Sequence, residues 1–205
     1  MPMERLEPFR QALVDLRRRI RDGELGPGAR VTAKEVAEGL KLSPTPVREA
    51  LSRLAGEGLL EERRGDGFFV PELSAADIAV LYRLSEQLLL IAQAEARDGR
   101  AAEAQPDDDP VRAVERLFFA WTGEVGSRVI LEAYRTVAIR LAPVRRCEVE
   151  FIDDLAQEAE QLQALASTSA RDARAEAIKR FHRRRVALAE RLSKRLAPPA
   201  SEGDA

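Results

Sequence analysis

Residues 42–70 of this chain read LSPTPVREALSRLAGEGLLEERRGDGFFV, and they restrict the possible folds more than any other stretch. Val47, Ala50, Leu51, Leu54 and Ala55 recur at helical spacing, so they share one face of a helix and belong in a core. Arg48, Glu49, Ser52 and Arg53 then look outward. Thr45 followed by Pro46 supplies an N-cap hydroxyl and a proline at the first helical position, so Ser43-Pro44-Thr45-Pro46 opens this helix. Gly56 and Gly58 end it. Leu59–Glu62 predicts a strand, Arg63-Arg64-Gly65-Asp66-Gly67 a hairpin turn, and Phe68-Phe69-Val70 the returning strand, closed by Pro71.

The segment before it completes a pattern. Leu6, Phe9, Leu13, Leu16 and Ile20 predict a helix from about Glu4 to Arg21, and DGELGPGAR (22–30) breaks it with three glycines and a proline. Thr32-Ala33-Lys34-Glu35 is a capping box that opens a helix over Ala33–Leu40, with Val36, Ala37 and Leu40 inward. Lys41-Leu42 makes the turn into the next helix.

Two short helices followed by a hairpin are the layout of a winged helix-turn-helix. In that layout the second helix enters the major groove with its N-terminal residues near base edges, and the preceding helix crosses the backbone. The hydroxyls of Ser43 and Thr45 and the first backbone amides then suit phosphates. Arg48 lies one turn in, where a guanidinium can grip a guanine edge. Lys34 and Arg64 are placed for backbone or minor-groove contacts, and Gly65 with Gly67 lets the hairpin turn sharply and approach a duplex. A head of this shape used only for protein contacts is the alternative, and the outward residue types argue against it.

Summed charge does not support DNA binding. The chain has a formal net charge of −2, and residues 1–72 hold 13 Lys/Arg against 13 Asp/Glu, leaving 20 and 22 for the rest. Affinity must come from where the arginines point, with the acids on the far side.

Beyond residue 72 the sequence reads as helical. Ser74 caps a helix from Ala75 to about Arg100, with Ile78, Leu81, Leu84, Leu88 and Ile91 inward. AAEAQPDDDP (101–110) is a loop, and helices are predicted at about 111–122, 127–146, 148–167 and 171–197. In the last, Ala173, Ala177, Phe181, Leu188 and Leu192 line one face, while Arg183-Arg184-Arg185 bulge outward as a solvated or partner-pairing surface. The expected fold is therefore mainly α: a winged helix-turn-helix head at 1–72, an all-α bundle at 73–197, and a disordered tail at 198–205. Apolar runs such as Leu88 to Ala92 are far too short to span a membrane. The N-terminus has no signal-peptide core, and the single cysteine, Cys147, fits a reducing cytoplasm.

Residues 10–71 resemble the DNA-binding domain of the GntR family of bacterial transcription regulators. The resemblance is carried by LRRRIRDGELGPGARVTAKEVAEGLKLS, PTPVREALSRLAGEGLL and RRGDGFFV. The helical remainder, opening LSAADIAVLYRLSEQLLL, resembles the FadR/FCD branch, whose bundle binds an effector and dimerises. The resemblance implies a homodimer on double-stranded DNA carrying a short inverted repeat, most simply a repressor, released when a small molecule binds the bundle. Where the family usually has Arg between the Ser/Thr and the second Thr of the recognition loop, this chain has Pro44, which implies an altered operator preference.

Many FCD bundles hold a divalent metal with one Asp and three His. This chain has one histidine, so that set cannot form. With Gly126-Ser127 matched to the family's Gly-Asn, the Asp position falls on Val114, the first His on Phe118, and the second on Glu160 or Gln161; His182 alone survives. The family's arginine and glutamate in the first bundle helix become Ser85 and Leu89. The resemblance then implies no metal and no cofactor, and an effector pocket around Ser85, Phe118 and His182 suited to a more apolar ligand, or no effector at all.

Two rivals follow. One is a constitutive or architectural DNA-binding dimer whose bundle binds nothing. The other is an enzyme. A lone His, a Cys without a partner base and the absence of a glycine-rich phosphate loop argue against it. Asp153 and Asp154 do not rescue it, because adjacent helical residues point about 100° apart.

Overall fold

A computed structural model describes residues 7–95, 107–166 and 171–197. The chain divides into two compact units, one ending at Leu73 and one spanning Ser74–Arg195. The predicted helical residues 96–100, most of the loop at 101–110 and the tail at 198–205 lie outside the described residues.

The first unit opens with α1, Pro8–Asp22, which has a proline in its first turn, where no intrahelical amide bond is lost. Residues 4–6 of the expected helix are outside the description. Gly23 ends α1 in the left-handed conformation (φ 77°) with its amide bonded to Ile20 O, a cap that suits glycine. Then come α2, Ala33–Leu40, and α3, Pro44–Gly56. The Thr32 hydroxyl accepts the Glu35 amide at 3.3 Å, as the capping box requires. Leu16, Val47, Ala50, Leu51 and Leu54 are fully buried where α1 packs on α3. Each buried leucine of this kind is worth about 1.5–3 kcal/mol, which fixes the helix pair that the hairpin rests on.

Three strands close the unit. β1 is Arg30–Val31, β2 is Glu61–Arg63 and β3 is Gly67–Phe69, all antiparallel in the order β1-β3-β2. The hairpin is where the sequence placed it, but β2 begins two residues later than expected. Leu59 and Leu60 are both buried before the ladder starts, so they anchor the strand without pairing in it. β1 was read as loop. Two residues between Ala29 and Thr32 carry no periodic signal, and Arg30↔Phe69 and Val31↔Phe68 pairing creates the strand from outside.

The second unit is all helix: α4 Ala75–Glu95, α5 Pro110–Gly123, α6 Arg128–Arg146, α7 Leu155–Ala164, α8 Arg171–Ala187 and α9 Ala189–Leu196. The Asp109 carboxylate caps α5 by accepting the Val111 amide at 2.9 Å, and the Ser127 hydroxyl caps α6. Leu89, Val114, Leu117, Phe118, Trp121, Tyr134, Ile178 and Phe181 belong to its core cluster.

Four expectations for this unit are corrected. The helix expected at 148–167 is a 3-10 turn, Cys147–Glu150, a break at 151–154 and then α7. The helix at 171–197 breaks at Leu188 into α8 and α9. In α8 the inward residues are Arg174, Ala177, Ile178, Phe181, His182 and Arg185, so Arg185 is inside and Ala173 outside. Arg185 stands four residues after Phe181 on the same stripe, and interior acids make its burial possible. In α4 the buried stripe is Ile78, Leu81, Tyr82, Ser85, Leu89 and Ala92, while Val80, Leu84 and Ile91 are 57%, 45% and 47% exposed.

Candidate nucleic-acid interface

The start of α3 differs from the sequence expectation in a way that matters chemically. Ser43, not Thr45, is the N-cap residue, and Pro44 takes the first helical position, with Thr45 second and Pro46 third. A helix leaves its first amides without intrahelical partners, and both prolines fit there because they have no amide to lose. The consequence is a poorer backbone anion site than expected: Pro44 and Pro46 remove two of those donors. Side chains must carry the contact. The Ser43 hydroxyl makes no capping bond to its own helix, and Ser43 and Thr45 are both exposed.

Arg48 stands one turn further on, exposed, on the face opposite buried Val47, Ala50, Leu51 and Leu54. Lys34 is exposed in the first turn of α2. The Asp66 amide donates to Arg63 O at 3.0 Å, closing a turn that presents Arg64 and Gly65 at its tip. Gly65 and Gly67 have φ of 84° and 101°, a region that side chains with a Cβ rarely adopt.

Ion pairing sorts the basic residues of this unit. Arg17 and Arg53 both bind Glu57, at 2.5 and 2.8 Å. Arg18 binds Glu24 and, at 3.1 Å, Asp15. Arg63 lies 4.2 Å from the Phe69 ring centroid and 3.5 Å from Glu61. Arg48, Lys34 and Arg64 make no ion pair with the described residues. These three cations stand on the second helix, the third helix and the hairpin tip, and Arg10, Arg30 and Lys41 are likewise without an ion pair among the described residues.

Residues 9–70 match the family model described as "Bacterial regulatory proteins, gntR family". That match covers the head alone, which is similar to the GntR DNA-binding domain. The chain is 40% identical over 80 residues to the HTH-type transcriptional regulator McbR of Escherichia coli (strain K12), a match covering 39% of this chain and 36% of that one. It is 47% identical over 58 residues to the Nta operon transcriptional regulator of Aminobacter aminovorans, covering 28% of each. The chain thus matches about a third of the length of these relatives. Among solved structures, E. coli McbR/YncC superposes with a TM-score of 0.70 at 23% identity over 91% of this chain and 99% of that one. A GntR regulator from Rhodococcus sp. RHA1 gives 0.71 at 23% identity, over 88% and 96%. These likenesses show the fold alone: the all-helical second unit has counterparts in both proteins.

Inside that helical domain Ser85, Phe118 and His182 come together, all three fully buried. The Ser85 hydroxyl lies 3.0 Å from His182 Nε2, and the ring is stacked on Phe118 with centroids 5.7 Å apart. His182 Nδ1 is 2.7 Å from Ile178 O, which can only accept, so Nδ1 carries the proton and Nε2 of the neutral ring accepts from Ser85. Burial holds His182 down to about 3, against an ordinary 6.5. Val114 and Phe118, at two family ligand positions, are core side chains. Among the described residues no cluster of three or more His, Cys, Asp or Glu could hold a metal ion, and no helix is long and apolar enough to cross a membrane.

Sequence reading missed the charged interior. Arg185 donates to Glu148 at 2.9 Å, to both Glu158 oxygens at 3.1 and 2.7 Å, and to Phe181 O. Tyr82 donates its hydroxyl to the other Glu148 oxygen at 2.5 Å, and burial followed by that carboxylate pushes the phenol well above its usual range. Arg145 is also interior, and its position was available from spacing: Tyr134, Ala138, Leu141 and Arg145 form one buried stripe of α6.

Proposed function

We propose that this chain is a sequence-specific DNA-binding transcription regulator that acts as a homodimer on an inverted repeat, as a repressor. The observation that carries this reading is the set of uncommitted polar groups on the head: Lys34, Ser43, Thr45, Arg48, Arg64 and Gly65, on the elements that a winged helix presents to a duplex. GntR-family regulators bind DNA and are not enzymes, which supports it further. Arg48 reads a base edge, Ser43 and Thr45 hold phosphates by their hydroxyls, and Arg64 follows the backbone or minor groove beside the hairpin. The exposed stripe Val80, Leu84 and Ile91 on α4 supports self-association, since three large apolar side chains at helical spacing are left uncovered within the chain.

The test is a binding titration of wild type and Arg48→Ala on a selected operator duplex at fixed salt. Loss of about 1–3 kcal/mol, with folding retained, is expected. Unchanged affinity removes Arg48 from the interface.

A second reading has its own observation. Ser85 occupies the ring nitrogen of the only histidine at a family ligand position, so a metal-dependent effector cannot bind as it does in many relatives. On that reading the protein is a constitutive or architectural DNA-binding dimer. No small molecule would then shift its melting temperature or release DNA.

A further inference from the structure

The strand pairings of the head sort its side chains onto two faces. Directly paired residues share a face, and so do residues two apart on one strand. Val31 is buried and stands opposite Phe68, so that row faces the core of the head. Arg30, Phe69 and Glu61 form the next row, and Gly67 lies beside it opposite Arg63, so these residues share the outer face. The side chains agree. The Arg63 guanidinium lies 4.2 Å from the Phe69 ring centroid, and a Cβ at Gly67 would stand 3.9 Å from Arg30 Nε.

Two arginines therefore neighbour Phe69, and they differ in commitment. Arg63 is held by the ring and by Glu61 at 3.5 Å. Arg30 is exposed, with no ion pair or side-chain hydrogen bond among the described residues. Arg30 pairs with Phe69, yet its Nε reaches Gly67, two residues nearer the hairpin tip, so the side chain runs along the sheet toward the tip. From Arg30 the backbone passes through Val31 and the Thr32 cap into α2, where Lys34 is exposed in the first turn. The β1–β3 ladder thus stands Arg30 between two elements already assigned to the duplex, the hairpin tip with Arg64 and Gly65 and the start of α2.

We infer that Arg30 is a further DNA-contacting residue, a phosphate clamp on β1 that grips the duplex backbone between the hairpin and the start of α2. The inference rests on the DNA-binding reading of the head. A guanidinium presents a planar fork of N–H donors that matches two phosphate oxygens, and here no internal partner has to be released first. Phosphate is the target because a side chain lying flat along the sheet meets the backbone outside a groove, not base edges within it. Gly67 has no side chain to screen the guanidinium from the duplex. Glu61, the acid of this row, is paired with Arg63, so its charge is balanced where a phosphate approaches. The contact adds affinity and fixes the seating of the head without carrying sequence information.

The test is duplex binding by full-length wild type, Arg30→Gln and Arg30→Lys across a salt series, on the selected operator and on a scrambled duplex. Removing one phosphate contact lowers the slope of log affinity against log salt by about 0.9. Arg30→Gln should therefore bind both duplexes about five- to tenfold more weakly at about 0.1 M salt, with the deficit shrinking as salt rises. Arg30→Lys should keep most of the slope, since a point charge still meets the phosphate. Neither variant should shift the melting temperature, because the side chain holds no partner within the chain. A wild-type slope in Arg30→Gln overturns the proposal and leaves the DNA-reading head intact. A loss on the operator with none on the scrambled duplex also overturns it, and makes Arg30 a base reader. Absence of salt-dependent binding by wild type on either duplex removes the DNA-binding reading itself, and this contact with it.

Discussion

The hydroxyl of Ser85 lies 3.0 Å from Nε2 of His182, on the ring nitrogen that a metal would need. With Nδ1 already donating to Ile178 O, no lone pair of the ring is left facing an ion. Purified, untagged protein incubated with Zn²⁺ or Ni²⁺ and washed with a weak chelator should therefore retain far less than one metal per chain by elemental analysis. Stoichiometric metal would contradict this arrangement.

The same burial makes stability depend on pH in a defined direction. The unfolded chain takes up a proton at His182 near 6.5, while the folded ring resists until about 3. Its contribution is complete above 6.5 and is lost as pH falls through that window, at about 1.4 kcal/mol per pH unit. Between pH of about 7 and about 5, wild type should lose about 2 kcal/mol more than His182→Gln in urea unfolding. Parallel losses in the two proteins would mean that the ring is protonated in the folded state.

Arg185 holds Glu148 and Glu158 together in the interior. Arg185→Met leaves buried Glu148 without its cation and Glu158 with only Arg184 at 3.8 Å, and should cost about 3–5 kcal/mol by chemical denaturation. Adding Glu148→Gln to that variant should recover part of the loss, because one uncompensated charge disappears. Full stability in the single variant would show that the carboxylates are solvated.

Leu84 is the centre of the exposed α4 stripe. Leu84→Glu should shift the protein toward monomer in sedimentation velocity without changing its far-ultraviolet circular dichroism. An unchanged dimer would move the association surface elsewhere.

The parts of the fold visible in the sequence are those set by local chemistry. Thr32 and Glu35 announce α2, the glycines at 65 and 67 announce the hairpin, and Val47 to Leu54 announce the buried face of α3. The start of α3 misled because Pro44 and Pro46 are both legal first-turn residues, and only the backbone decides which comes first. Interior polar residues were the larger gap. Arg145 and Arg185 lie on apolar stripes, yet a charged side chain is read outward until its partners are known. On α4 the inversion runs both ways, with Ser85 and Gln93 inside and Leu84 and Ile91 outside. Of the named site, Ser85, Phe118 and His182 do meet.

The central claim is that the head reads DNA sequence, and selection of bound duplexes from a random pool by the full-length protein tests it most directly. The account predicts enrichment of an inverted repeat with two matching half-sites, since a dimer presents two copies of α3 to successive major grooves. Recovery of duplexes with no enriched sequence at physiological salt would contradict it.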